Sequence, residues 1–328
     1  MILGPLFFSL AVRRSLEFFA LSLGPQHLVL AYLDNIYVLS PDESALPAAQ
    51  AHFQAGSSLT LNAIKSVCHP LSDIRTRGFA ILGRFLGPTE ARATFLRDKL
   101  EDLVPLLRPF SKLPCQHALL CLKMSLQQSL RHLPRTLPSA DIMPTWKAVD
   151  DAVCDEFRRI RVGPSVPDDL ADRDGTLISL PLLFGGSGIQ SHCALAPLAE
   201  KAYTDISLRV LSTLSSNVEV PPDIRSQHEL SNEAHNSTLL LLLPQLSLLE
   251  RTVYLENASP LERRWLIALP TQVFLRLADF EISANLLHRS LIASAYTHWP
   301  RCSLPNSFGH HEVCVKTFRS VQVGRHAR

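Results

Sequence analysis

Apolar and polar residues alternate with different periods in successive parts of the chain. From Pro5 to about Leu21, the positions Leu6, Leu10, Phe18 and Leu21 fit a helix whose proline sits in the first turn, where its missing N–H costs nothing. Gly24-Pro25 ends it. His27 to Leu33 and Ile36 to Ser40 are rich in Val, Leu, Ile and Tyr, and Asp34-Asn35 between them tolerates a tight turn. This pattern predicts a β-hairpin with Asp34 at its tip. Ala45 to Ala55 has helical composition, Ser57-Ser58 breaks it, and Val67 to Cys68 and Gly78 to Leu86 suggest further short strands.

Beyond Gly87-Pro88 the period becomes helical. Phe95 to Leu107, Gln116 to Leu133 and Pro144 to Ile160 carry apolar residues three and four apart, with proline-bearing breaks between them. A polar, proline-containing stretch from Val162 to Asp174 precedes Leu180 to Gly188, and helix resumes from Ala194 to Ser215. Residues 216–235 read as a linker, and helical material returns from Thr238 to about Ala295. The apolar run Leu239 to Leu249, interrupted by Pro244 and Gln245, reads as two pieces of buried helix, being far shorter than the ~20 residues that span a bilayer.

Composition narrows the class. With 328 residues, 46% of them hydrophobic, the chain can bury a sizeable core in two or more folding units. The formal charge of +2 neither requires nor excludes a nucleic-acid partner. The 7 cysteines are scattered and odd in number, unlike a disulfide framework, which points to a reducing, intracellular setting. Arg13 and Arg14 follow the first apolar run instead of preceding it, so a signal peptide is not expected. No membrane partner is expected either.

The candidate chemistry centres on Ala31-Tyr32-Leu33-Asp34-Asn35-Ile36-Tyr37-Val38-Leu39. Nucleotidyl transfer needs carboxylates holding two divalent cations about 4 Å apart, and a hairpin tip can present them. This segment resembles the Tyr-x-Asp-Asp hairpin of reverse transcriptases, with Asn35 at the second Asp position. Upstream, Leu3-Gly4-Pro5-Leu6 resembles the second half of the family's Gln-Gly-x-Pro-Leu-Gly-Pro segment. Downstream, Leu61-Asn62-Ala63-Ile64-Lys65-Ser66 resembles its Leu-Asn-x-x-Lys-Ser/Thr element, and Gly78-Phe79-Ala80-Ile81-Leu82-Gly83-Arg84-Phe85-Leu86-Gly87 its primer-grip hairpin. Each piece alone is ordinary loop chemistry. Four in the family's order are not, and the chain resembles the C-terminal part of a non-LTR retrotransposon reverse transcriptase, an RNA-directed DNA polymerase, of the fungal and oomycete type. Gln116 to Lys123 and Arg131 to Arg135 are similar to that family's thumb-side helices, although an amphipathic core helix explains them equally well locally. Leu180 to Gly188 is similar to its Leu-Pro-x-x-x-Gly-Gly-Leu-Gly segment, with Ser187 at the Leu position. Ile189 excludes a serine-hydrolase elbow there.

The resemblance implies an α+β fold: a partial palm with a small antiparallel sheet over residues 1–90, a helical thumb-like region over 91–165, a mainly helical C-terminal region over 166–300, and a Cys/His tail over 301–328. It implies Asp34, with the changed Asn35, as the catalytic pair and Asp34 as a ligand of Mg or Mn. Gly4, Pro5, Tyr32 and Lys65 would then line the nucleotide and template, and Leu82, Gly83 and Gly87 would form the primer grip. In the tail, Cys302, His310, Cys314 and His326 resemble a family zinc finger. Leu304 stands where its second cysteine belongs, so ligand count favours a metal-free tail over one that binds Zn with His326 as stand-in.

The departures point to lost catalysis. The chain begins inside the motif that follows the family's first catalytic aspartate, and Asn35 contributes no charge. A degenerate, inactive reverse transcriptase fragment is therefore the leading reading, with RNA or DNA as partners and the nucleus as location by resemblance. A residual nucleic-acid-binding module using Arg131, Arg135, Arg158, Arg159 and Arg161 is one alternative, a solvated helix face being the simpler account of that set. Another is an interaction protein that self-associates or binds a protein partner through an apolar palm face and open sheet edge.

Overall fold

The computed structural model describes residues 3–32, 35–55, 62, 66–81, 84–162, 170–213, 217–272 and 275–292. These are mainly helical, with two small antiparallel sheets, a broadly α+β composition. The chain divides into two compact units, Met1–Phe79 and Ala80–Arg328.

The first unit holds α1 (Leu3–Leu23), β1 (Leu28–Tyr32), β2 (Asn35–Leu39), α2 (Ala45–Ala55) and α3 (Leu71–Arg77). Its core is small: buried Phe19, Ala49 and Phe53, with Leu16, Leu23, Val29, Ile36 and Val38 packed around them. The Phe19 and Phe53 rings lie 5.3 Å apart. β1 and β2 pair antiparallel, Leu28 opposite Leu39 and Tyr32 opposite Asn35. Side chains alternate across a strand, so Val29, Ile36 and Val38 turn to the core while Leu28, Leu30 and Leu39 stay exposed on the other face. The hairpin is thus apolar on both faces, the pattern of a strand covered on both sides.

Two expectations for this unit are corrected. Asn35 lies in β2, paired with Tyr32, and not in the turn. Val67 and Cys68 form no strand, and α3 follows directly behind His69-Pro70. Two β-formers are too few to sustain a strand beside a proline that cannot donate to a ladder.

The second unit begins within β3 (Phe79–Ile81), whose partner is β4 (Arg84–Leu86). Helices follow: α4 (Thr89–Leu107), α5 (Cys115–Cys121), a π-helical turn (Leu122–Leu126), α6 (Gln127–Ser129), α7 (Leu133–Thr136), α8 (Met143–Arg161), α9 (Ala171–Ser179), α10 (His192–Ser212), α11 (Gln227–Leu242), α12 (Leu248–Asn257), α13 (Pro260–Arg264) and α14 (Asp279–Arg289). α8 is the centre of the unit. Trp146, Val149, Val153, Phe157 and Ile160 recur three and four apart and are all buried, each large side chain contributing about 1.5–3 kcal/mol by leaving water. The same core takes in Leu96 and Leu103 of α4, Ala196 of α10 and Ile282 and Leu286 of α14. Residues 91–165 and 166–300, separated in the sequence reading, therefore share one core.

The linker expected over 216–235 is shorter. α11 starts at Gln227 behind a capping box in which the Ser226 hydroxyl and the Glu229 carboxylate each accept from the other's backbone N–H. The run Leu239 to Leu249 breaks at Pro244 as expected, but it is buried only in part: Leu242 and Leu246 enter a core with Leu177, Leu180 and Tyr254, whereas Leu240 and Leu241 are 72% exposed and Leu248 83%.

Candidate functional site

The hairpin strands bring Tyr32 and Asn35 opposite one another, on either side of Leu33 and Asp34. Gly4 and Pro5 fall in the first turn of α1. Gly87 follows β4, and its carbonyl accepts a hydrogen bond from Arg92 Nε at 3.1 Å. Asp34, Lys65, Leu82, Gly83, Cys302, His310, Cys314 and His326 lie outside the described residues. Among the described residues, no group of three or more His, Cys, Asp or Glu gathers as a metal site, and no helix is long and apolar enough to cross a membrane. The donors at the hairpin suit a two-metal centre poorly. Asn35 offers a neutral amide, and Glu17 of α1 is engaged in an ion pair with Arg13.

The arginines considered for phosphate contacts are mostly engaged. Arg161 is buried and pairs with the buried Asp174, and its Nη1 also donates to Ser290 Oγ. Arg158 bridges Asp174 and Asp155. Arg159 pairs with Glu156, and Arg135 donates to Gln227 Oε1 at 2.7 Å. These contacts fix the end of α8 to α9 and α14, so Arg161 is unavailable to a duplex and Arg158 and Arg159 face it already partly neutralised.

Polar chemistry is concentrated instead around Leu180–Ile189. The segment folds back on α9: Ser187 N–H donates to Leu177 O, Gly188 N–H to Leu180 O and Ile189 N–H to Ile178 O. Gly185 is left-handed, at φ 74°, and a Cβ on Gly186 would stand 2.1 Å from Leu180 O. Two cationic side chains then bind successive carbonyls. Lys123 Nζ, from the π-helical turn, donates to Ser187 O at 2.9 Å. Arg289, from α14, donates to Gly186 O through Nε at 3.2 Å and Nη2 at 2.6 Å, and its Nη1 reaches Asn257 O and Glu262 O. Tyr254 OH donates to Phe184 O. Burial, reinforced by the like charge of Arg289, pulls the Lys123 amine down to about 7. Burial likewise lowers Arg289 to about 10 and raises Tyr254 to about 12.

Sequence reasoning noted Leu180–Gly188 and Lys123 but did not join them. A signal was available: Gln116, Leu120, Lys123 and Gln127 recur at helical spacing along a largely apolar face. All four are buried, and the three polar ones bind backbone of distant segments, Gln116 at Leu275 and Leu277 and Gln127 at Gln190.

Comparison with protein-family models, with curated proteins and with solved structures found no match to this chain.

Proposed function

We propose that the chain is a degenerate reverse-transcriptase polypeptide of the non-LTR retrotransposon type, without polymerase activity of its own. The observation that carries this reading is the hairpin, whose strands pair on either side of Leu33-Asp34 with Tyr32 opposite Asn35. The Leu3 to Ala11, Leu61 to Ser66 and Gly78 to Gly87 sequences, which follow one another in the family's order, support it. Loss of activity follows from the donor set: one aspartate and one amide cannot hold two cations against a triphosphate. Primer extension with the purified 328-residue chain tests both halves.

A second reading, an interaction protein that uses the hairpin face, is favoured by the exposed Leu28, Leu30 and Leu39 on one side of a two-stranded sheet. Sedimentation across a concentration series, with Leu30→Lys and Leu39→Lys compared to the parent chain, tests it. The nucleic-acid-binding reading loses support from the ion pairs of Arg158, Arg159 and Arg161. A shallow dependence of nucleic-acid affinity on salt is the expected result in filter binding.

A further inference from the structure

The second unit buries an amine among carbonyls and a second cation. Lys123 is 7% exposed and Arg289 1%. They approach Leu180–Ile189 from different elements, the π-helical turn and α14, and donate to its adjacent carbonyls Ser187 O and Gly186 O. Lys123 sits in the π-helical turn, and such turns recur at functional positions. Gly188 adds closeness: a Cβ there would stand 3.4 Å from Lys123 Nζ.

The charged and titratable groups around this cluster are few. The group acting on Lys123 is Arg289 of α14; those acting on Arg289 are Glu262 and Arg263 of α13 and Tyr254 of α12. Glu262 thus offsets the charge of Arg289, whereas among the described residues the charge acting on Lys123 is the like charge of Arg289. Protonated, Lys123 is an ion out of water that donates to Ser187 O and has a cation acting on it, an arrangement in which the charged form is penalised. Neutral, it keeps an N–H to donate to Ser187 O and loses the penalty.

We propose that Lys123 is a protonation-sensitive latch on Leu180–Ile189: the neutral amine holds the segment closed through Ser187 O, and the ammonium, set against Arg289, lets it open. The direction with pH follows from linkage. The closed segment gives up the Lys123 proton near pH 7, while an open, hydrated lysine keeps it to its ordinary range near 10.5. Between these values the open state binds more protons, so closing becomes more favourable as pH rises and is weakest below neutrality.

The test is amide hydrogen exchange of the full chain between pH 6 and 9, corrected for the intrinsic base-catalysed rate and read at Ser187, Gly188 and Ile189. Protection at these amides should rise at least about tenfold across this range in the parent chain and stay level in Lys123→Met, which fills the site without a charge. A second measurement on the parent chain alone follows the rate of acetylation of Lys123 against pH by mass spectrometry, with a midpoint expected near neutrality. Parallel protection profiles in the two chains, or a Lys123 midpoint in the ordinary lysine range, would overturn the proposal.

Discussion

Arg161 and Asp174, from the end of α8 and from α9, form a buried ion pair that Arg158 joins through the second carboxylate oxygen. Ser283 Oγ donates to the Arg161 and Val162 carbonyls, so α14 is tied to the same corner. Removing one partner of such a pair strands the other in a low dielectric. Asp174→Ala should cost about 3–5 kcal/mol in urea unfolding, far more than Asp155→Ala, whose contact to Arg158 is largely exposed. Equal costs would show that the buried pair does not organise the unit.

Asp150 of α8 caps α10. Its carboxylate accepts from His192 N–H, Cys193 N–H and the Ser191 hydroxyl, and contacts His192 Nδ1 at 2.8 Å. Burial pushes this carboxyl upward, but the hydrogen bonds and charge interaction with His192 and the two backbone N–H groups outweigh it, leaving the group below its ordinary value. The stabilisation is therefore present above the usual aspartate range and lost as pH falls through the depressed folded value. At neutral pH Asp150→Ala should lose about 3 kcal/mol or more, and the gap to the parent should narrow only at strongly acidic pH. Chemical denaturation across pH measures it.

Gly186→Ala places a methyl 2.1 Å from a backbone carbonyl oxygen, which no side-chain rotation relieves. The expected loss is about 1–3 kcal/mol or more, whereas Gly175→Ala meets nothing within 4 Å and should be neutral or stabilising. Thermal unfolding of the pair distinguishes this packing requirement from a general intolerance of glycine replacement.

Much of the fold was legible because period carries it. The Val, Leu, Ile and Tyr content on either side of Asp34-Asn35 located the hairpin strands, and the spacing of Trp146, Val149, Val153 and Phe157 located α8. The one-residue shift that puts Asn35 in β2 was not legible, since both Asp34-Asn35 and Leu33-Asp34 suit a two-residue turn by length. α11 was missed over its first turns because Gln227 to Asn236 has few apolar residues, although the capping box at Ser226 and Glu229 was there to read. The roles of Arg158 and Arg161 were hidden for a different reason. Asp174 lies 13 residues beyond Arg161 on another helix, and no periodic pattern within one helix relates such a pair.

The central claim is tested most directly by primer extension, using the purified chain with an RNA template, a DNA primer, deoxynucleotides and Mg²⁺ or Mn²⁺. No RNA-directed synthesis is expected, and Asn35→Asp should not restore it. Asn35→Asp restores one charge at the hairpin, whereas two-metal chemistry also needs a carboxylate from a separate strand, and Glu17 sits on a helix paired with Arg13. Extension by the parent chain that disappears in Asp34→Ala would contradict the account and show that another carboxylate completes the site.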